Sequence, residues 1–282
     1  MKVLLIVNPK KSAAQELVPN IKKELEKKNI RVSLFSYTDS SLPASDFDIA
    51  FSLGGDGTVL FAARSLAALG IPILPLNLGS LGFIAAVHPN EWQDVFEDWR
   101  SGKALVSERL MLNIRVLRGE KFVFEMTALN DAVISASGIS KTIRLEAFSE
   151  DNHLAYYRSD GLIISTPTGS TAYNAAAGGP ILDPRMEALV INPICPFTLF
   201  SRALVMSAHE IISVNIEKEQ RSAVLLTIDG QLVETLEPSD KVLFSKSEFC
   251  ARLIASDRGA FYQALHSKLV SSPSLPNGDS HA

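Results

Sequence analysis

Short apolar runs and longer amphipathic segments alternate along the first hundred residues. Leu17, Ile21 and Leu25 recur at every fourth position, which predicts a helix over residues 12–28 with Ser12 as its cap. Further helices are predicted over residues 59–69 and near residues 90–100. The apolar runs with the length of buried strands are residues 2–7, 31–37, 47–53 and 71–76. Alternating strands and helices predict a parallel sheet, in which ligands bind beyond the carboxyl ends of the strands.

After residue 101 the pattern changes to β-branched alternation and tight turns. Residues 112–117 and 121–125 flank Gly119 and predict a hairpin. Further strands are predicted at residues 129–135, 143–148, 161–165, 211–216, 223–228 and 241–245. This half of the chain therefore predicts a β-sandwich or a layered antiparallel domain.

These patterns divide the chain into an α/β domain at residues 1–101, a β-rich domain at residues 102–255 and a C-terminal segment at residues 256–282. Residues 271–282 are rich in Ser, Pro and Gly, so we expect a disordered tail.

Composition narrows the classes of function. The net charge is −4 and there is no long basic run, which argues against a nucleic-acid partner. No apolar stretch reaches the ~18–20 residues of a membrane span, so no membrane partner is expected. Cys195 and Cys250 are the only cysteines, too few for a disulfide framework, and no metal-ligand spacing is evident. The cytoplasm is the expected location.

The stretch Leu53-Gly-Gly-Asp-Gly-Thr58 joins a predicted strand to a predicted helix. Gly54, Gly55 and Gly57 are expected in the connecting turn, where a missing Cβ permits positive φ and close approach of a ligand. The N–H groups at the start of the helix favour a phosphate. Asp56 could then accept a proton from a hydroxyl that attacks phosphorus. A plain Asp-Gly turn is the alternative.

Two later segments add to this pattern. A second glycine loop, with Gly79 and Gly82, follows the fourth predicted strand. Residues 158–173 contain a short predicted buried strand, followed by a loop rich in Thr, Ser and Gly that ends at Tyr173. Small hydroxyls and an aromatic face suit a heterocycle or a ribose, although a turn that caps a helix explains the hydroxyls equally well.

Taken together, these motifs resemble those of the bacterial NAD kinase family over residues 1–255. The long Thr/Ser motif is more specific than the glycine turn, which diacylglycerol kinases, sphingosine kinases and phosphofructokinases share in similar form. The motifs, in chain order, are Gly54-Gly-Asp-Gly-Thr58, Asn77-x-Gly-x-Leu-Gly-Phe83, Asn130-Asp131, Asp160-Gly161, Thr166-Pro-Thr-Gly-Ser-Thr-Ala-Tyr173 and Ile228-Asp-Gly-Gln231.

The resemblance implies transfer of a phosphoryl group from ATP, or from polyphosphate, to the adenosine 2′-hydroxyl of NAD, giving NADP. It also implies a divalent metal, usually Mg²⁺, a homodimer or homotetramer, and a Rossmann-like domain followed by a β-rich domain, with the substrate between them.

Carried onto matching positions, Asp56 would be the general base and Gly57 a backbone contact. Asn130 and Asp131 would hold ribose hydroxyls or adenine, and Asp160 would meet the nicotinamide end. The adenine pocket would comprise Thr171, Ala172, Tyr173, Asn174, Ala175 and Ala176. Further substrate-binding candidates are Lys141, Arg158 and Gln231, and the phosphate loop would comprise Gly54, Gly55, Gly57, Thr58, Gly79 and Gly82.

One residue departs from the family pattern, and two other classes of protein would explain part of that pattern. Phe197 stands where many family members carry a histidine, which puts a polar contact from that position in doubt. A lipid kinase of the diacylglycerol type would share the glycine turn, but the chain has no basic amphipathic helix for a membrane surface. A catalytically silent dinucleotide sensor would have no need of Asp56. The chain contains neither a Walker lysine motif nor a dehydrogenase G-x-G-x-x-G fingerprint, which excludes both of those classes.

Overall fold

The computed structural model describes residues 1–37, 42, 46–79, 82–85, 87–138, 141–198, 201–255 and 259–270. The chain forms two compact units. The first comprises residues 1–62 and 71–107 with the described residues from Leu253 onward, and the second comprises Ala63–Gly70 and Glu108–Arg252.

The helices are α1 (Ser12–Lys27), α2 (Asp56–Leu66), α3 (Trp92–Arg100), α4 (Tyr173–Ala176) and α5 (Ala260–Val270), with 3₁₀ turns at Ala67–Leu69 and Gly169–Thr171. The strands are β1 (Lys2–Val7), β2 (Arg31–Ser36), β3 (Ile49–Gly54), β4 (Ile73–Asn77), β5 (Leu105–Arg118), β6 (Lys121–Ala128), β7 (Asp131–Ala136), β8 (Ile143–Ser149), β9 (Asn152–Ser159), β10 (Gly161–Ser165), β11 (Ala188–Ile194), β12 (Leu204–Ser207), β13 (Ile212–Ile216), β14 (Val224–Ile228), β15 (Leu232–Leu236) and β16 (Lys241–Ala255).

The first unit is built on a parallel sheet with strand order β2-β1-β3-β4, as the alternating pattern predicts. Gly54 and Asn77 are opposite each other at the carboxyl ends of β3 and β4, so both glycine loops leave the sheet at neighbouring positions. The core between sheet and helices is apolar and includes an edge-on contact of Phe51 with Phe96, whose ring centroids are 5.4 Å apart.

Two details at the helix starts differ from the sequence prediction. The residue before α1 is Lys11, and no side chain caps this end, so the expected cap from Ser12 is wrong. Helix α2 begins at Asp56, three residues earlier than the predicted start, because Gly57 does not interrupt helical geometry here. Asp56, Gly57 and Thr58 therefore belong to the first turn of the helix, and the expected position of Gly57 in the connecting turn is wrong.

The second unit is β-rich, and its two sheets enclose one apolar core. One is an antiparallel sheet with strand order β12-β11-β10-β7-β14-β15. The other contains β9, β8, β13 and β16, with β5 pairing β16 and β6. Alternate residues of both sheets, such as Leu112, Ile134 and Leu226, are buried in the shared cluster. The predicted hairpin is confirmed, with Gly119 at φ +63° in its turn.

Several elements were missed by the sequence pattern. Strand β9 is largely exposed, and β11 contains a proline, so neither shows a clean alternating pattern. Strands β12 and β15 and helix α5 were also missed. The expected disorder at residues 271–282 lies outside the described residues. Within the described parts of the chain, no helix is both long and apolar enough to cross a membrane.

Candidate functional site

In the first unit, the carboxylate of Asp56 is held by the second glycine loop. Its Oδ1 accepts the N–H groups of Ala85 at 2.9 Å and Ile84 at 3.4 Å, and its Oδ2 accepts the N–H of Phe83 at 3.2 Å. A carboxylate offers about four acceptor positions. Among the described residues three are used, which leaves one on Oδ2. The residue is half-buried.

Two of the glycines near Asp56, Gly54 and Gly82, are needed for close approach and not for positive φ. A Cβ on Gly82 would lie 2.1 Å from Asp56 Oδ1, and one on Gly54 would lie 2.1 Å from Thr58 Oγ1. No glycine at residues 54, 55, 57, 79 or 82 has a positive φ. The N–H of Gly79 donates to Asn77 Oδ1 at 3.0 Å. Part of the predicted phosphate loop thus orients side chains within the first unit.

The second unit contains a cavity of about 360 Å³ at the ends of β7, β14 and helix α4. Four of the predicted substrate-binding residues line it: Asn130, Asp131, Ala172 and Tyr173. Tyr173 is 48% exposed, which leaves a ring face free for stacking. Five residues that the sequence analysis did not select complete the lining: Val133, Ser135, Thr227, Asp229 and Gly230.

A single buried carboxylate organises one wall of this cavity. Asp229 is in the turn after β14, at φ +50°, and its side chain has no exposed surface. Its two oxygens accept the N–H groups of Leu129 at 3.1 Å, Asn130 at 2.7 Å and Asp131 at 3.3 Å. In return, the N–H of Asp229 donates to the carbonyl of Asp131 at 2.9 Å. Each of the two segments, the turn at Asp229 and residues 129–131, therefore both donates hydrogen bonds to the other and accepts them from it.

Arg64 supplies the counter-charge to Asp229. Its Nη1 donates to Asp229 Oδ2 at 2.6 Å, and its Nη2 donates to Gln231 Oε1. The guanidinium and carboxylate side chains are both buried, and of the two residues only Asp229 belongs to the cavity lining.

Asp131 differs from Asp229 in having little to stabilise its charge. Burial, with a further contribution from the negative charge of Asp229, raises the pKa of Asp131 to about 7. The Asp131 carboxyl can therefore donate or accept a hydrogen bond near neutral pH. The nearby Asn130 Oδ1 is buried and accepts no hydrogen bond from the residues that the structure describes. Both groups are suited to a ligand that carries polar hydrogens.

The Thr/Ser loop divides into lining and supporting residues. Asn174 is fully buried: its Nδ2 donates to the carbonyls of Ser170 and Pro180, and its Oδ1 accepts from Asn192 Nδ2 at 3.1 Å. Thr171 donates its hydroxyl to the Thr168 carbonyl at 3.3 Å. Ala175 and Ala176 lie on α4 but do not line the cavity.

The remaining candidates lie elsewhere in the second unit. Arg158 is exposed and stacks on Phe197, with its guanidinium carbon 4.5 Å from the ring centroid. Asp160 is exposed, and its backbone pairs with Ala136 and Ile194. Lys141 is also exposed. None of these three side chains lines the 360 Å³ cavity.

Sequence reasoning missed Arg64 and did not select Asp229, although Asp229 was part of a quoted motif. An Asp-Gly pair directly after a buried strand was the available signal for Asp229. Arg64 gave no local signal, because its partner is 165 residues away. Among the described residues, no group of three or more His, Cys, Asp and Glu side chains could hold a metal ion.

Comparisons with known proteins bear on the family of the chain. Residues 5–104 match the family model of the ATP-NAD kinase N-terminal domain, and residues 129–256 match that of the ATP-NAD kinase C-terminal domain. A Treponema denticola protein named NAD kinase is 40% identical over 281 residues, covering 97% of this chain and 99% of its own length. A Natranaerobius thermophilus protein of the same name is 37% identical, covering 94% and 96%.

Solved structures support the fold. Yeast NADH kinase complexed with NADH superposes with a TM-score of 0.86 at 22% identity, covering 98% of this chain and 89% of the yeast chain. An NAD kinase from Archaeoglobus fulgidus in complex with ATP gives a TM-score of 0.79 at 24% identity, covering 96% and 100%.

Proposed function

The chain belongs to the NAD kinase family, and we propose that Asp56 is the general base of its reaction. The enzyme transfers a phosphoryl group to the adenosine 2′-hydroxyl of NAD and so forms NADP. The 2′-oxygen attacks the terminal phosphorus of the donor, the bond from that phosphorus to the leaving oxygen breaks, and the hydroxyl proton passes to Asp56.

The observation that carries this proposal is the bonding of the Asp56 carboxylate. Three N–H donors from residues 83–85 hold it in one orientation, and one acceptor position stays open on Oδ2. A positioned carboxylate of this kind typically contributes ~10²–10⁴-fold to proton transfer. We assign the proton to Oδ2 because Oδ1 already accepts two hydrogen bonds.

The cavity of the second unit is the proposed site for NAD. Tyr173 supplies a ring on which a base can stack, and Asn130 Oδ1 can accept an amino or hydroxyl proton. Asp131 can donate or accept, as a ribose hydroxyl requires. Ser135 and Thr227 add hydroxyl groups to the same lining.

ATP is the proposed phosphoryl donor, with polyphosphate as a second donor to be tested. Mg²⁺ usually binds through substrate phosphates and few protein ligands. We therefore treat it as part of the MgATP substrate. A homodimer or homotetramer in the cytoplasm remains our proposal for the assembled enzyme and its location.

A coupled assay of NADP formation tests the reaction and the base together. Purified protein receives NAD, Mg²⁺ and either ATP or polyphosphate, and the Asp56→Asn variant is run beside it. We expect NADP with at least one donor and a loss of at least ~10²-fold in kcat for the variant. Near-normal turnover of Asp56→Asn would remove Asp56 from the mechanism. If the unaltered protein binds NAD but shows no turnover with any donor or metal, the result would favour a catalytically silent dinucleotide sensor.

A further inference from the structure

Arg64 is a buried charged residue that bonds to a residue of the cavity lining and that the proposed mechanism does not use. It is near the C-terminal end of α2, in the part of that helix that belongs to the second unit. Its side chain is 7% exposed and is not part of the cavity lining. An arginine so deeply buried needs a specific partner, because an unpaired buried charge is strongly destabilising.

That partner is Asp229, and the geometry between them is close. The 2.6 Å bond from Arg64 Nη1 to Asp229 Oδ2 is a charge-assisted hydrogen bond, which is stronger than one between neutral groups. The second guanidinium nitrogen reaches Gln231, two residues further along the same turn. One planar guanidinium therefore fixes two side chains of the β14–β15 turn.

The Asp229 carboxylate connects the guanidinium of Arg64 to the backbone at the wall of the cavity. It accepts the N–H groups of three consecutive residues, 129–131, and the last two of these line the cavity. An ionised carboxylate accepts these bonds better than a neutral one. The guanidinium of Arg64 supplies the counter-charge to this carboxylate, whose side chain has no exposed surface.

We propose that Arg64 is a positioning residue for NAD binding, which acts through Asp229 to hold Asn130 and Asp131 at the wall of the cavity. The inference rests on the proposed assignment of this cavity to NAD. Among the described residues Arg64 bonds to Asp229 and Gln231, so it reaches Asn130 and Asp131 only through Asp229. Its loss therefore changes affinity for NAD and leaves the phosphoryl-transfer step largely intact.

Arg118 provides a matched control for the test. Its Nε and Nη2 each donate at 2.9 Å to the fully buried carboxylate of Asp240 in the same unit, although the Arg118 side chain is 39% exposed and also pairs with Glu237. Asp240 in turn accepts the N–H of Glu237, and none of these residues lines the NAD cavity. Arg118→Gln therefore removes the arginine partner of a buried carboxylate without touching the wall at residues 129–131.

The experiment compares Arg64→Gln, Arg64→Lys and Arg118→Gln. The KM for NAD and kcat come from the NADP-formation assay, NAD affinity from calorimetry, and stability from thermal melting. For Arg64→Gln we expect the KM for NAD to rise about tenfold or more, as loss of a charge-assisted bond in a buried site suggests. We expect kcat to change by less than about threefold, since the reacting groups are untouched.

Arg64→Lys keeps the charge but not the planar fork, so its KM should lie between those of the unaltered protein and Arg64→Gln. This variant also keeps the test usable if Arg64→Gln does not fold. Arg118→Gln should lower the melting temperature and leave the KM for NAD unchanged.

An unchanged KM in both Arg64 variants, with melting temperatures lowered as in Arg118→Gln, would overturn the inference and leave Arg64 a purely structural residue. A fall in kcat with unchanged KM would overturn it as well. Tyr173→Ala distinguishes failure of the role proposed for Arg64 from failure of the assignment of the cavity to NAD. If Tyr173→Ala weakens NAD binding while the Arg64 variants do not, the assignment stands and only the role of Arg64 fails. If none of these variants changes NAD affinity, the cavity itself is not the NAD site.

Discussion

Asp56 in the first unit and Asp229 in the second have similar hydrogen bonds, but we propose different roles for them. Each carboxylate accepts three backbone N–H groups from a short segment of consecutive residues. Asp229 is fully buried and paired with Arg64, so its acceptor positions are used within the protein. Asp56 is half-buried, and none of the described residues takes the remaining acceptor position on Oδ2. Access to a ligand, and not the number of N–H donors, distinguishes the proposed base from the structural carboxylate.

The largest effect expected from this comparison is at Asp56 itself. Asparagine keeps the shape and can still accept hydrogen bonds through its oxygen, but its amide is not a base. We expect Asp56→Asn to fold, to bind NAD within about threefold of normal and to lose at least ~10²-fold in kcat. Calorimetry and the NADP assay on the same sample separate binding from chemistry, and a variant that loses both in parallel would point to a folding defect.

The next test asks whether the orientation of Asp56 matters as well as its charge. In Gly82→Ala, the new Cβ would lie 2.1 Å from Asp56 Oδ1, so the carboxylate must move. A displacement of about 1 Å in a catalytic group can cost ~10²-fold in rate. We therefore expect a loss of this order in kcat for Gly82→Ala.

Gly79→Ala is the matched control in the same loop. The nearest atom to its Cβ would be Lys11 Nζ at 3.6 Å, an ordinary contact with a flexible side chain. Its kcat should stay within about twofold of normal, since no catalytic group moves. Equal losses in the two alanine variants would mean that the loop as a whole, and not the contact with Asp56, controls the rate.

A third test sharpens the contrast between Asp229 and its neighbour Asp131. The raised pKa of Asp131, about 7 against an ordinary 3.8, means that the folded protein binds this proton more tightly than the unfolded chain does. Stability then falls as the pH rises from about 4 to about 7. Asp131→Asn mimics the neutral carboxyl, so between pH 5 and pH 8 its stability should fall less than that of the unaltered protein, by ~2 kcal/mol as an order of magnitude.

Urea unfolding at pH 5 and pH 8 measures this difference directly. Asp151→Asn, in the exposed turn between β8 and β9, serves as a control that should follow the unaltered protein. The same slope for Asp131→Asn and the unaltered protein would show that Asp131 ionises as it does in the unfolded chain.

The smallest effect is expected from substitution of Tyr173. This substitution tests whether a stacked ring in the cavity contributes to NAD binding, independently of the charged residues. Loss of a stacked ring typically costs ~1–3 kcal/mol in binding of a nucleobase. Because 48% of this residue is exposed, we expect Tyr173→Ala to weaken NAD binding by the lower figure, about fivefold, with kcat little changed. Tyr173→Phe should bind normally if the ring face alone is used.

Much of the fold was predictable because its signals are local. The strand at Lys2–Val7, the helix that ends near Lys27 and the hairpin around Gly119 follow from hydrophobic period and turn chemistry within a few residues. Strands β9 and β11 lacked such a signal, the first because it is largely exposed and the second because it contains a proline. Helix α5 was missed although its length is ordinary.

The candidate site was predictable in part, for the same reason. Motif resemblance selected Asp56, Asn130, Asp131 and Tyr173, which either carry the proposed base or line the cavity. It also selected Asn174, whose side chain is fully used by Ser170, Pro180 and Asn192. A motif marks a segment that is required, but it does not distinguish a side chain that meets the ligand from one that holds the loop.

The sequence by itself determined many of the helices and strands, the order of an α/β region and a β-rich region, and the family. These depend on residue periodicity and on motifs that need no distant partner. Only the tertiary structure decided that the second glycine loop bonds to Asp56, that Arg64 pairs with Asp229 and that Asp131 has a raised pKa. The physical reason is that these contacts join residues 27 to 165 positions apart, and the desolvation that raises the pKa exists only once the folded chain has excluded water.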